Sequence, residues 1–183
     1  TLTTRGATEA QRLSGDLALR LGELLTAAVI VRETTQPARR VQLIWRDHIG
    51  GSLVADSLPE GINRGIVSPG SRESKPVMSG SHILQVNYTL PNGTLHQGMV
   101  AIDADADVSS AMMRYMLESE QTVTTVAISA LPGPDTVRVV GGYLIQILPE
   151  ATRETIAELT ERLGNLPPVA QLLDRVDCTP QYL

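Results

Sequence analysis

The sequence predicts a single mixed α/β domain, and three observations support this prediction. The chain has 183 residues, a length that fits one domain and buries roughly 70% of the surface that its unfolded chain would expose. Stretches that alternate apolar and polar residues, as β-strands do, are interleaved with stretches whose apolar residues recur at helical spacing. Neither an internal repeat nor a linker divides these stretches, so we expect one domain over residues 1–183.

The composition argues against several classes of protein. Aromatic residues make up only 3% of the chain and Phe is absent, so the core must be aliphatic. A net charge of -5 lacks the basic footprint that phosphate binding needs, which argues against a nucleic-acid partner. The sequence has no long apolar run, no secretory signal and only one cysteine, Cys178, which excludes an internal disulfide. We therefore expect a soluble, cytoplasmic protein with no membrane partner.

The first half of the chain predicts one helix followed by antiparallel strands. Ser14 can cap a helix from about Gly15 to Val31, whose leucines fall on one face. The span from Arg40 to Ser68 predicts a three-stranded meander, and a hairpin follows around Pro91-Asn92-Gly93. Between them, the polar residues 68–81 are rich in Gly, Ser and Pro and predict a loop without regular structure.

The passage from Met112 to Pro149 is the densest apolar stretch of the chain. It predicts a helix that is apolar on most sides and should be buried all round. Two strands follow, and the second carries apolar residues on both faces, which predicts cover on both sides. In the middle of that strand, Gly141-Gly142 indicates a bulge, a bend or a close backbone approach. A helix capped by Thr152 and a short final helix after Pro168 complete the prediction.

Three alternate aspartates resemble the start of a calcium-binding loop. Asp103, Asp105 and Asp107 could direct their oxygens toward one hard cation. However, Val108 and Arg114 occupy the places where such a loop needs Gly and a bidentate Glu. Helix capping and compensation of the helix dipole are therefore the better interpretation.

The histidines and a pair of glutamates do not predict a catalytic or metal site. His48, His82 and His96 are far apart and match no metal-binding motif, which favours histidines on the surface of strands or loops. Glu118 and Glu120 are two residues apart on a helix, so their carboxylates do not face each other. We interpret this pair as a solvated helix end.

The methionines have two interpretations. Met99, Met112, Met113 and Met116 can form an adaptable, sulfur-rich binding surface, because thioethers fit varied apolar shapes. For the three that lie in the predicted helix, a place in the core is favoured. The chain also lacks a nucleophile elbow and a phosphate-binding loop, and nothing near Cys178 marks it as a nucleophile.

Three motifs follow one another in the second half of the chain: S-E-Q at the end of a helix, then G-G-x-L-x-Q-x-L-P in a strand, then an amphipathic helix. With this signature the chain resembles the heat-shock protein 33 family of redox-regulated holdase chaperones, over nearly its whole length and most strongly from Arg40 to Leu173. Ser68 stands where the family usually has Asn, and D-A-D-A-D replaces the more common helix start. The signature residues, which we interpret as structural, are Ser119, Glu120, Gln121, Gly141, Gly142, Leu144, Gln146, Leu148 and Pro149.

The resemblance implies a fold and a function. The fold is α+β, with mixed or antiparallel sheets packed around a largely buried central helix in β/α/β layers and further helices at the C-terminal end. The family is usually dimeric and holds unfolding client proteins on exposed apolar surface without ATP. No catalytic residue is implied, and the client-binding residues stay unassigned.

The family's redox switch is a C-terminal zinc module with C-x-C and C-x-x-C ligands, and those four cysteines have no counterpart in this chain. We therefore expect no cofactor here, with zinc only if such a module follows. Truncation of a longer protein and a natural member that lacks the switch both fit the missing module. The family's first strand is also missing, and the chain opens on Thr1, which suggests that one or both ends have been trimmed. The alternative function is a dimerisation or interaction module that kept only the fold, and an enzyme is the third possibility.

Overall fold

The computed structural model describes residues 2–35, 37–48, 50–70 and 81–175. Its elements form three layers: a five-stranded sheet, a pair of helices and a two-stranded sheet. Most of the predicted loop over 68–81 lies outside the described residues, and so does Cys178. The elements are α1 (Leu2–Ala10), α2 (Gly15–Thr35), β1 (Arg40–Arg46), β2 (Ser52–Ser57), β3 (Asn63–Ser68), β4 (Ser81–Thr89), β5 (Leu95–Asp103), α3 (Val108–Glu118), β6 (Thr124–Pro132), β7 (Val137–Gln146), α4 (Arg153–Gly164) and α5 (Val169–Asp174).

The larger sheet is antiparallel throughout, with the strand order β3-β2-β1-β4-β5. The predicted meander and hairpin are both present, and the pairing of β1 with β4 joins them. Side chains alternate between the two faces as the strand period requires. Val41, Leu43 and Trp45 of β1 are at most 2% exposed, whereas Gln42 and Ile44 between them are half-buried. One face of the sheet therefore forms the core, as the alternation predicts.

α2 lies between the two sheets. It packs against β1, β2 and β3 on one side and against β6 and β7 on the other. Leu21, Leu24 and Ala28 have no exposed surface, because both layers cover them. The helix begins at Gly15 as predicted, and it continues to Thr35 rather than ending at Val31.

α3 lies beside α2 and contacts β4, β5 and β6. The expectation that this helix is buried on all sides is wrong, because Leu117 is 59% exposed and Met113 is only half-buried. The neighbouring elements cover one broad side of the helix and leave the other in solvent. The fully buried residues of α3 are Val108, Ala111, Met112, Tyr115 and Met116.

β6 and β7 form a two-stranded antiparallel ribbon with a register shift at Leu131/Pro132. The expectation that β7 is covered on both sides is wrong, since Val137 is its only fully buried residue. The short helix α5 places Leu173 against Gly141, but it is too short to cover the rest of the strand. A Cβ on Gly142 would lie 2.8 Å from the Cα of Ile128, so this glycine allows the close backbone approach that was one predicted alternative.

α4 lies apart from the layers, and no other described helix or strand packs closely against it. Thr152 caps it as predicted, accepting a 3.2 Å hydrogen bond from the Thr155 N–H. The predicted ion pair between Glu158 and Arg162 is also present at 2.6 Å. The helix has no fully buried residue, so its apolar stripe is only partly covered.

α1 is the one described helix that the sequence does not predict. Its fully buried positions are Thr4 and Thr8, which no apolar pattern reveals. After the helix, the side-chain amide of Gln11 accepts a 2.7 Å hydrogen bond from the Val67 N–H and donates to the Gly65 carbonyl. The side chain thus satisfies backbone groups at the edge of β3, as a neighbouring strand would. No helix in the described part of the chain is long and apolar enough to cross a membrane.

Candidate functional site

The face of the five-stranded sheet that points away from the core, called the outer face below, carries an unusual apolar row. The strand register places Ile66, Val54, Ile44, Gln85 and Met99 side by side across all five strands. The two residues at the ends of this row are each 58% exposed, and its two central aliphatic residues are half-buried. Ile66, Val54 and Ile44 are contiguous, and the buried Gln85 separates them from Met99. Contiguous apolar side chains on a folded surface mark an interaction site more often than scattered ones do.

The polar residue in the apolar row is already hydrogen-bonded. Gln85 accepts from Arg46 and donates to Asn87 at 2.9 Å, and Asn87 donates to Gln42 at 3.1 Å. These contacts form a ladder across β1 and β4. Because its amide is paired in this way, Gln85 can be 6% exposed among apolar neighbours without an unsatisfied polar group. The outer face therefore offers apolar contact area and few free polar groups for specific recognition.

An ion-pair cluster lies at one side of the apolar row. The buried carboxylate of Asp56 accepts two hydrogen bonds from Arg40, at 2.7 and 2.8 Å, and lies 3.7 Å from Arg64. The hydrogen bond to Asp56 raises the pKa of Arg40 above its ordinary value. The cluster gives the apolar row a rigid, charged border, which resembles the polar rim of a binding surface.

The first group of signature residues ties the end of α3 to β5. Ser119 caps the helix, Glu120 accepts a 2.6 Å hydrogen bond from the Tyr115 hydroxyl, and Gln121 adopts a left-handed φ of 56°. Burial and then the hydrogen bond to Glu120 raise the pKa of Tyr115 far above its ordinary value. On β5, a Cβ at Gly98 would lie 2.7 Å from the Tyr115 hydroxyl, so only glycine fits there.

The second group of signature residues follows β7 into the connection to α4. Leu144 pairs with Val126 across the ribbon and packs on the core. Gln146 ends the strand on an exposed position, and Leu148 is 63% exposed beside α4. Pro149 is exposed as well. None of these residues lies in the apolar row, so the signature and the outer face are separate features.

Two of the three histidines come together, which their sequence spacing does not predict. His82 is 7% exposed, so the predicted surface position is wrong for this residue, whereas His48 and His96 are exposed. The Nε1–H of Trp45 donates to Nδ1 of His82 at 3.1 Å, and the stacked ring of His48 lies with its Nδ1 3.4 Å from Nε2 of His82. Burial lowers the pKa of His82, and the nearby His48 and Arg20 act in the same direction.

The contact from Trp45 makes this histidine pair unsuitable for a metal ion. The indole N–H only donates, so Nδ1 of His82 must accept and the neutral ring carries its proton on Nε2. That proton points to His48, whereas a metal ligand would need a free lone pair on Nε2 and an acceptor beside Nδ1. In the part of the chain that the structure describes, no group of three or more His, Cys, Asp and Glu could hold a metal ion.

The remaining polar candidates have structural contacts. Asp107 caps α3 by accepting a 2.7 Å hydrogen bond from the Ser110 N–H, which confirms the capping interpretation for this residue. Asp103 lies at the end of β5, 3.8 Å from Arg114. Arg114 also pairs with Glu118 at 2.8 Å. Glu118 and Glu120 thus have different partners and do not act as a carboxylate pair.

The methionines divide between the two interpretations. Met112 and Met116 are at most 2% exposed, so the core interpretation is confirmed for them. Met99 belongs to the apolar row. The sequence carried one signal for that row: Ile44, Val54 and Met99 occupy strand positions at which the alternation expects polar residues. Sequence alone could not align them, because the register between β1 and β4 was unknown.

The family model described as Hsp33 protein matches residues 1–182. The chain belongs to the Hsp33 family. The 33 kDa chaperonin of Lactococcus lactis subsp. cremoris (strain MG1363) is 27% identical over 189 residues, which cover 96% of this chain and 65% of that protein. The 33 kDa chaperonin of Listeria innocua is 27% identical over 198 residues, covering 100% of this chain and 67% of the relative.

The fold is shared with a solved member of the Hsp33 family. The crystal structure of the 33 kDa chaperonin (heat shock protein 33 homolog) from Thermotoga maritima matches with a TM-score of 0.79 at 22% sequence identity. The match covers 96% of this chain and 64% of that one, so the chain spans about two thirds of the length of such relatives. The expected α+β fold in β/α/β layers is thereby confirmed.

Proposed function

We propose that this chain is an ATP-independent holdase domain that binds unfolding proteins on its outer face and prevents their aggregation. The apolar row across five strands is the observation that carries this proposal. Membership of the Hsp33 family, with relatives named 33 kDa chaperonins, supports it. Binding an unfolded chain in preference to a folded one suppresses aggregation without any chemical step, so neither a catalytic group nor a nucleotide is required.

The dimensions of the apolar row suit an extended segment of a client. Neighbouring strands are about 4.8 Å apart, so a row across five strands is roughly 19 Å long. An extended chain of about six residues has that length. Because the polar groups beside the row are paired with one another, contacts with a client are mostly apolar and tolerate many sequences. Low sequence specificity is what a holdase needs.

Regulation and assembly form part of the same proposal. The residues of the outer face include no cysteine, and we infer that the holding activity of this chain needs neither zinc nor an oxidant. A homodimer is the assembly that family membership favours. Sedimentation or multi-angle light scattering measures the mass in solution and tests this directly.

The test of the proposal is light scattering by a chemically unfolded client protein diluted into buffer under reducing conditions. We expect a molar excess of this chain to suppress scattering. The double variant Ile66→Ser with Met99→Ser should lose most of that effect, because it makes both exposed ends of the apolar row polar. The matched control is Val123→Ser, which changes a residue that is 59% exposed and lies outside the row.

The outcomes distinguish a chain without holdase activity from a holdase that binds its clients outside the outer face. Undiminished aggregation with the unmodified chain would contradict a holdase and favour the dimerisation or interaction module. If the unmodified chain suppresses aggregation and the double variant does so equally well, clients bind elsewhere. Circular dichroism of each variant checks that the fold is retained.

A further inference from the structure

A pocket of about 400 Å³ lies between the first turns of α2, the end of β1 and the residues that follow β3. Its volume is within the range of about 300–1,000 Å³ that small-molecule sites occupy. Trp45 and His82 form part of its wall, and Pro69 and Gly70 close one side. Trp45 points into the core side of the sheet, so this pocket is separate from the outer face.

One cation at this pocket, Arg20, forms no ion pair within 4.0 Å in the described part of the chain, although its charge acts on Glu23 at longer range. The guanidinium of Arg20 lies 5.0 Å from the centroid of the Trp45 ring. Glu23, one turn further along α2, is instead hydrogen-bonded to the Ala130 N–H at 3.3 Å. Arg20 therefore keeps N–H groups that can form a planar, two-point contact with an anion.

His48 supplies a second donor at the same pocket. Its Nδ1 faces the Nε2–H of His82 and accepts from it, which places the proton of the His48 ring on Nε2, where it can donate to a ligand. The acid in this region, Asp47, accepts a 2.7 Å hydrogen bond from the Gly51 N–H and so serves the turn after β1. Asp47 also lines the pocket, but its carboxylate is engaged by this backbone N–H, whereas no described residue accepts a hydrogen bond from the Arg20 guanidinium. An anionic group in the pocket would therefore find its hydrogen-bond donor at Arg20.

The other walls of the pocket are apolar. Leu53 is buried, Val67 is half-buried, and Leu17 remains 44% exposed at the edge. A wholly polar anion would leave these side chains in water, and a neutral apolar molecule would bury the N–H groups of Arg20 without an acceptor. A cationic molecule would face Arg20. The lining thus selects a molecule with an anionic head and an apolar body.

We propose that this pocket binds an organic carboxylate, with the anion held by Arg20 and His48 and the apolar part packed along Leu17, Leu53 and Val67. The site is independent of the proposed holding activity.

The chain provides a direct probe of this site, because Trp45 is its single tryptophan. Titration with decanoate at pH 7.5, below its micelle concentration, should change the tryptophan fluorescence in a saturable way. We expect 1-decanol to bind at least about tenfold more weakly, the value of one charge-assisted hydrogen bond. Decyltrimethylammonium should show no saturable binding. Isothermal titration calorimetry repeats each measurement without relying on the fluorophore.

Variants assign the binding to the pocket. Arg20→Gln should weaken decanoate binding about tenfold, and Arg20→Lys should weaken it less, since the charge remains. Arg153→Gln removes an exposed charge at the start of α4 and serves as the matched control. The Ile66→Ser with Met99→Ser variant should bind decanoate normally, which distinguishes this site from the outer face.

Two results would overturn the proposal. One is equal affinity for decanoate and 1-decanol, which would mean that the pocket recognises apolar molecules only. The other is equal loss, or no loss, in the Arg20→Gln and Arg153→Gln variants once thermal unfolding shows that both are folded. Neither result would bear on the client-holding assay, which uses no carboxylate ligand.

Discussion

The two sheets of this chain are buried in different ways. In the five-stranded sheet, alternate residues such as Leu43 and Val86 have no exposed surface, and the helical layer covers the inner face of the three central strands β2, β1 and β4. In the β6–β7 ribbon, most residues of β7 are partly exposed and cover comes from α2, with smaller contributions from α1, α3 and the short α5. Two strands alone are marginally stable in water. The comparison shows that the stability of the large sheet comes from its fully buried inner residues, whereas the stability of the ribbon comes from its contacts with helices.

The largest expected effect tests the core of the five-stranded sheet. Leu43→Ala should lower the free energy of unfolding by about 2–5 kcal/mol, because it leaves a cavity in a fully covered position. Ile44→Ala, one residue along the same strand, changes a half-buried side chain on the outer face and should cost clearly less. Urea unfolding followed by circular dichroism measures both. Equal losses would show that the two faces of this sheet are equally covered.

An intermediate effect tests the ribbon. Gly142→Ala should destabilise the chain by about 1–3 kcal/mol, the usual cost of overpacking, because the new methyl group would lie 2.8 Å from the Cα of Ile128. Gly141→Ala is the control, since its methyl group would meet only the end of the Leu173 side chain, at 2.9 Å. A flexible side chain can move and backbone cannot. Hydrogen exchange of β6 and β7 amides measures whether the loss is confined to the ribbon, and a larger effect at Gly141 would contradict this account.

The smallest effect concerns the contact between α2 and the ribbon. The carboxylate of Glu23 accepts a hydrogen bond from the Ala130 N–H of β6, and burial raises the pKa of Glu23 above its ordinary value of 4.5. The hydrogen bond to Ala130 and the charge of Arg20 oppose this shift, and the charge of Asp107 adds to it. The folded state therefore favours the protonated acid relative to the unfolded chain.

The sign of the resulting pH dependence follows from linkage. The contribution of Glu23 to stability is fully present below its ordinary pKa of 4.5 and is lost as the pH rises through the raised pKa of the folded state. Glu23→Gln keeps an oxygen acceptor for Ala130 and never ionises. We expect this variant to be more stable than the unmodified chain at neutral pH and to converge with it in acid. Urea unfolding at several pH values measures the difference, and a less stable variant at pH 7 would show that the ionised carboxylate is favourable.

Much of the five-stranded sheet could be predicted because the alternation of apolar and polar residues along strands such as β1 shows which side chains are buried. Val41, Leu43 and Trp45 alternate with polar or half-buried neighbours, so the inner face of β1 was evident. The same kind of argument failed for β7, where apolar residues on both faces suggested two covering layers. Its partial exposure depends on the length of α5, a property of a distant segment. α1 was missed because its buried side chains are threonines.

The candidate site could be predicted only in part, for a related reason. The residues of the apolar row were visible as exceptions to the alternation, yet each is an unremarkable aliphatic residue by itself. What makes them a surface is the register that aligns five strands, and the pairing of β1 with β4 is not encoded near either strand. The contact between Trp45, His82 and His48 has the same origin, since it joins the end of β1 to the start of β4.

The seam between β1 and β4 also has a consequence for how the chain folds. β1, β2 and β3 can pair as a local meander, and β4 can pair with β5 as a local hairpin, so each module closes only short loops. Joining the modules requires the closure of a much longer loop, which costs more chain entropy and makes this step slower. Leu43 and Val86 face each other across this seam, so we expect them to be covered late in folding. A nascent copy of this domain would then expose, for a time, the kind of apolar surface that it is proposed to hold in other proteins.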